Sequence, residues 1–285
     1  MEEKYYENGN EIPLSRVEEL KLQQARVEWV IECGDCINDA IQELERLKNV
    51  VSDELKLDGV FSTKSRTNLE LIKSRFIFSL LDIAIFSDQF KRNENKKIPE
   101  QSGILVKLNW ANLDCTAIDT SASMKLSRYM RNFFAHVRKG KQGFHISIKS
   151  ELEYGKSCIV DIQKMVLNKE IRLPKEIGID DISCLLLDRN YTDLLGNPTG
   201  EEYIDLYKFA KSLPIELHSI WRTFVDTNKV EFEKLSKQTG AFIEREWINY
   251  DIGKQGVDDK FIGIDDRFNI REKLISTLNI TKNNN

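Results

Sequence analysis

Within six consecutive positions the chain carries Arg131, Asn132 and His136, a permanent cation, an amide and a titratable imidazole. The surrounding run is Ser127-Arg128-Tyr129-Met130-Arg131-Asn132-Phe133-Phe134-Ala135-His136-Val137-Arg138-Lys139-Gly140. Wound at about 100° per residue, it puts Leu126, Met130, Phe133 and Val137 on an apolar stripe, with Arg128, Arg131, Asn132 and His136 on the other side. Asn132 and His136, four apart, can touch, and the small Ala135 leaves room beside them for a ligand or another chain. Imidazole titrates nearest neutrality, so His136 is suited to take the proton of a ribose 2′-hydroxyl, or to return one to a departing 5′-oxygen, without a metal. A guanidinium fork suits Arg131 to hold the phosphate and stabilise charge added in the transition state, and Asn132 would orient the imidazole or the phosphate. The competing reading is structural: His136, in the last turn before Gly140, complements the helix dipole while Arg131 makes a surface ion pair.

Charge distribution singles out the same stretch. The 285 residues carry a net charge of −4, which by itself suggests no polyanionic partner. From Ser121 to Ser150, however, there is no Asp or Glu, while Lys125, Arg128, Arg131, Arg138, Lys139, Lys141 and Lys149 give +7, leaving −11 for the rest. Of these, Lys125, Arg128, Arg138, Lys139 and Lys141 are candidate RNA-phosphate contacts, the last three in or beside the turn Arg138-Lys139-Gly140-Lys141-Gln142-Gly143.

An Arg-Asn-x3-His sequence on an amphipathic helix resembles the R-x(4–6)-H motif of the HEPN superfamily (higher eukaryotes and prokaryotes nucleotide-binding), in which a polar residue commonly follows the Arg. The resemblance covers the helical part, residues 13–140, and rests on Arg131, Asn132 and His136. Arg138 and His145 also satisfy the loose spacing, but Gly140 and Gly143 intervene and Lys139 follows the Arg. The family implies an antiparallel helical bundle and a homodimer with the motif helices facing each other across the two-fold axis. Many members are metal-independent endoribonucleases in phage-defence or toxin–antitoxin systems, so an antitoxin or defence-system partner is implied as well. Others are non-catalytic binding modules, and that alternative stays open here. A protein-interaction subunit whose basic stretch binds an acidic partner is a third reading.

The elements that must position the motif read as mainly helical. Residues 13–55 form one long helix or two consecutive ones, with Pro13 in the first turn, a capping-box pattern at Ser15 and Glu18, and Val17, Leu20, Val27, Val30 and Ile31 at helical spacing. A second helix is expected from Thr67 to Lys91; its centre, Phe76 to Phe86, is apolar nearly all round and should be buried between several helices. Asp82 in that run either pairs with a basic residue, on the motif helix for instance, or lies on a narrow polar stripe. After a polar connection over 93–103, a shorter helix is expected over 104–115, then the motif helix, capped by Thr120 or Ser121 and ending at Gly140. Residues 141–200 form a mixed segment in which Phe144–Ile148 and Ser157–Ile162 suggest a β-hairpin. Helices return over 201–250, with breaks near Pro214 and Asn228, and residues 1–12 and 251–285 read as a polar segment and an irregular tail.

Other chemistry is weaker. Five scattered cysteines are expected to be reduced, and the lone Cys33-x-x-Cys36 pair lies in helical sequence with no second pair or nearby His, so no metal and no cofactor is expected. There is no P-loop, GxGxxG, GxSxG or HExxH. No apolar run approaches the roughly 18 residues of a membrane span, and the acidic, polar start lacks a secretory pattern, so a cytoplasmic protein is expected. His145 is read as a strand residue near the basic turn, His218 as a packing residue, and Trp29, Trp110, Trp221 and Trp247 as core or interface.

Overall fold

The structure is a computed structural model and describes residues 2–7, 10–57, 63–95, 97–99, 105–107, 113–119, 121–136, 146–151, 155–161, 185, 203–238, 244–248, 255–256 and 272–280. It is mainly helical, with small antiparallel sheets. In chain order the elements are β1 (Glu2–Glu7), β2 (Asn10–Ile12), α1 (Leu14–Leu55), α2 (Thr63–Asn95), β3 (Lys97–Pro99), β4 (Leu105–Lys107), α3 (Thr116–Asp119) and α4 (Ala122–His136). There follow β5 (Ile146–Glu151), β6 (Gly155–Asp161), β7 (Tyr203–Asp205), α5 (Leu206–Thr227), α6 (Lys229–Gln238), β8 (Glu244–Ile248), β9 (Gln255–Gly256) and a last helix, α7, over 272–278. The chain divides into two compact units, one of residues 1–35, 89–115 and 221–285, the other of 36–88 and 116–220.

The first unit joins the two ends of the chain. Its sheet runs β2-β1-β8-β9, all antiparallel, with Glu2 opposite Ile248 and Tyr5 opposite both Ile12 and Arg245. Trp29, Trp221 and Phe224 are fully buried, with Phe224 edge-on to Trp29 at 6.2 Å. Trp221 donates its indole N–H to the Thr277 carbonyl at 3.1 Å, and Lys273 reaches Asp35 at 2.9 Å, so α7 is tied to the rest of the unit. Gly34 makes that possible: a Cβ there would overlap the Thr277 methyl. Asn228 stops α5 and starts α6, its side chain bonding both the N–H and the carbonyl of Asp114 at 2.8 Å.

The second unit holds the motif helix. Ile37, Leu44, Leu47, Ile72, Phe76, Leu80, Ile83, Phe86 and Phe209 are fully buried there, and Phe76 meets Phe209 edge-on at 5.3 Å. Its sheet is β5-β6-β7, with Ile146 opposite Val160 and Val160 opposite Ile204. Asp205 ends β7 and caps α5 by accepting from the N–H groups of Tyr207 and Lys208.

Several expectations hold and several are corrected. α1 is a single helix, but the first intrahelical bonds go to the Pro13 carbonyl, so Ser15 sits inside the first turn and no capping box forms around it. The α2 apolar run is not buried all round, because Phe78, Leu81 and Ile85 face outward. Leu105–Lys107 pairs with Lys97–Pro99 as a strand where a helix was expected. Pro214 does not break α5, since Phe209, Ala210, Leu213, Leu217 and Ile220 bury one continuous face through it; the four large side chains, at roughly 1.5–3 kcal/mol each, outweigh about 3 kcal/mol for the proline. Glu244–Ile248 is a strand rather than helix, its partner strand is residues 2–7 of the polar segment, and 272–278 is helical rather than irregular. The hairpin is present, its edges displaced by one to three residues.

Candidate functional site

The motif helix begins where the sequence places it. Ser121 accepts from the Met124 N–H at 3.0 Å and donates its hydroxyl to Glu216 of α5, while the Lys125 N–H bonds the Ser121 carbonyl. Leu126 and Met130 are buried as expected. The buried face is wider than the apolar stripe, however, since Ser123, Ser127 and Tyr129 are also inside, with the Ser127 hydroxyl donating to the Ser123 carbonyl at 2.8 Å.

On the other side, Arg131 is half-buried and Asn132 exposed, and the backbone places His136 in the last turn of α4. Five residues on a helix separate Arg131 and His136 by about 140° around the axis and about 7.5 Å along it, while Asn132 and His136 share a face. The side chains of Phe133, Phe134, Ala135 and His136 lie outside the described residues, as do Val137, Arg138, Lys139, Lys141 and His145 entirely. Lys125 and Arg128 are half-exposed on α4, about two turns and about one turn before Arg131.

One residue of the site was missed from sequence. Asp88, on α2, takes an N–H of Arg131 through Oδ2 at 3.4 Å, the two side chains being 50% and 29% exposed. That distance is long beside the 2.7–2.9 Å of a strong charge-assisted bond. The Arg131 Nε is buried with no hydrogen-bond partner among the described residues, so the guanidinium keeps unused donor capacity. Ser87, fully buried next to Asp88, likewise has its hydroxyl without a partner among those residues. No local pattern in the sequence marks Asp88, because its contact with Arg131 joins residues 43 apart on two different helices.

Asp82 is not the motif's partner. Its half-buried carboxyl is held above the usual carboxylate range, first by desolvation, then by Glu43 and Asp39, against the opposing pull of Arg46. Glu43, almost fully buried, accepts two bonds from Arg75 at 3.0 and 3.2 Å and one from Arg46 at 3.0 Å.

The remaining candidates are structural. Cys33, Cys36, Cys115 and Cys158 are free thiols; burial, then Asp205 and Glu54, push the Cys158 thiol up to about 12, far from nucleophilic. Burial holds the half-buried His218 imidazole below its ordinary value. Trp29 and Trp221 are core, whereas Trp110 lies outside the described residues. Among the described residues no three His, Cys, Asp or Glu side chains converge as a metal site, and no helix is long and apolar enough to cross a membrane. Comparison with known proteins finds no matching family model, curated protein or solved structure.

Proposed function

We propose that this chain is a metal-independent endoribonuclease with a HEPN-like helical bundle, a cytoplasmic component of a bacterial defence or toxin system. The observation that carries this reading is the state of Arg131: a guanidinium placed beside an exposed Asn on the motif helix, lightly held by one carboxylate, with a buried N–H left over, five residues before His136. In the proposed reaction Arg131 binds a non-bridging oxygen of the scissile phosphate. His136 removes the 2′-hydroxyl proton, the 2′-oxygen attacks phosphorus, and the 5′-oxygen leaves with a proton, giving a 2′,3′-cyclic phosphate and a 5′-hydroxyl. Asn132 orients the imidazole or the phosphate, and Lys125 and Arg128, with Arg138, Lys139 and Lys141, guide the strand. RNA is thus the proposed substrate, a homodimer the proposed working unit, and an antitoxin or defence-system protein the proposed regulator.

The ion pair itself favours one second reading, a non-catalytic RNA-binding or protein-interaction module in which Asp88 occupies Arg131 structurally. Incubating purified protein with RNA in EDTA separates them. Cleavage leaving 2′,3′-cyclic phosphate, lost in His136→Ala with binding retained, is the result expected of the nuclease. Products with 5′-phosphate and 3′-hydroxyl ends, or a strict requirement for added divalent ions, would overturn it.

A further inference from the structure

An arginine presents a planar fork of N–H donors, and a well-made pair with a carboxylate fills one edge of that fork with two parallel bonds. Arg131 falls short of that. Asp88 takes a single bond, from Nη2 at 3.4 Å, while Nε, which shares an edge with Nη2, is buried and has no partner among the described residues. Buried donors are nearly always paired, so this edge carries less than it could. It is also closed: with Nε shielded from solvent, no phosphate arriving from solution can seat itself across Nε and Nη2 until the side chain turns.

Asp88 also sets where the guanidinium points. It belongs to α2, so Arg131 is drawn toward α2, whereas Asn132 and His136 hold backbone positions about 100° and about 140° further round α4. A phosphodiester lying along the Asn132 and His136 side is thus on a different flank of the helix from the one Arg131 serves here. The guanidinium can cross that arc on its long, rotamer-rich stem, but one edge holds one oxyanion at a time, and crossing means giving up Asp88. Little opposes the exchange. A surface ion pair resists a competitor by a factor of about 5 at most, and a 3.4 Å contact between two partly exposed side chains sits low in that range, while a phosphate offers two shorter bonds.

We propose that Asp88 is a latch on the motif: in the resting chain it holds Arg131 toward α2, and an RNA phosphodiester opens the site by taking the guanidinium over from it. The latch presupposes that Arg131 is a phosphate ligand, as in the nuclease reading, but not that the chain cleaves. A strand already tethered through Lys125 and Arg128 presents its next phosphate to Arg131 at high effective concentration, and this drives the exchange.

Binding of a labelled 2′-O-methyl oligonucleotide to the whole chain, followed by fluorescence anisotropy, tests this without interference from cleavage, because the probe has no free 2′-hydroxyl to attack. Asp88→Asn should tighten binding about 2- to 5-fold, the range an exposed ion pair allows, and Asp88→Ala should match it. The same Asp88→Asn change made on top of Arg131→Gln should alter affinity less than about 1.5-fold, since the latch acts only through Arg131 and screened repulsion accounts for the remainder. Simple repulsion between Asp88 and the strand predicts instead an equal gain with or without Arg131. That equal gain, Asp88 variants that bind no tighter than the parent, or no binding by parent or variant would each overturn the proposal. Cleavage of ordinary RNA is scored apart. A parent that cleaves, with no gain in Asp88→Asn, strikes the latch and leaves the nuclease reading, and a gain in binding without cleavage strikes the nuclease reading and leaves the latch.

Discussion

Two carboxylates serve arginines in the second unit, and they do so differently. Glu43 is almost wholly buried and saturated by Arg75 and Arg46 at 3.0–3.2 Å, whereas Asp88 is half exposed and makes one 3.4 Å contact to an arginine that retains a buried, unused donor. The saturated pair has nothing left to offer a ligand and much to lose if cut. The loose pair contributes little to folding and keeps capacity for an oxyanion. Geometry, rather than residue type, separates the structural arginine from the candidate functional one.

The sharpest break in that contrast is Arg131→Ala. RNA cleavage should fall at least about 100-fold, the effect of removing a transition-state donor, while the urea midpoint barely moves. Gel assays beside denaturation curves check both halves; equal loss of stability and activity would erase the distinction. Glu43→Ala should do the reverse. Stranding Arg75 and Arg46 should cost about 2–3 kcal/mol of stability and leave cleavage by the folded fraction unchanged, with chemical denaturation as the measure.

Smaller effects sharpen the picture. Replacing Lys125 and Arg128 together by Ala should flatten the log–log dependence of RNA affinity on salt by about 1.4, two single-strand contacts, measured by titration at several salt concentrations. Asp88→Asn should tighten RNA binding by a few-fold, since it removes a negative charge beside the phosphate, and change stability by under about 0.5 kcal/mol. Asp82→Asn should act only through pH. Because the folded carboxyl titrates above its unfolded value, Asp82 contributes stability that is present below the ordinary carboxylate range and lost as pH rises through the folded value. The Asn variant should therefore have a flatter stability profile just above pH 4, and gain a few tenths of a kcal/mol at neutrality. Urea midpoints between about pH 3 and 7 decide it.

What was legible in the sequence was local. Periodicity gave α1 and α2 within a few residues at most ends, alternation gave the β5–β6 hairpin, Ser121 gave the start of α4, and Asn228 gave the α5–α6 break. Pairings that span the chain left no local trace. β1 recruits β8 from more than 230 residues away, so Glu244–Ile248 read as helix continuing from α6. Arg131, Asn132 and His136 were found because one helix carries them all, and Asp88 was missed because its relation to Arg131 exists only once α2 and α4 pack.

The first unit has a consequence for how the protein is made. Trp29, Val30 and Ile31 leave the ribosome early, yet the α7 residue packed on neighbouring Gly34, Thr277, follows roughly 240 residues later, some 10–50 s at typical synthesis rates. For that interval the apolar face of the first half of a long amphipathic helix waits without α7, while every residue of the second unit, which ends at 220, has been translated before α7 exists. Slowing translation therefore lengthens the time that the buried face of residues 14–35 spends without α7, rather than helping that unit to fold.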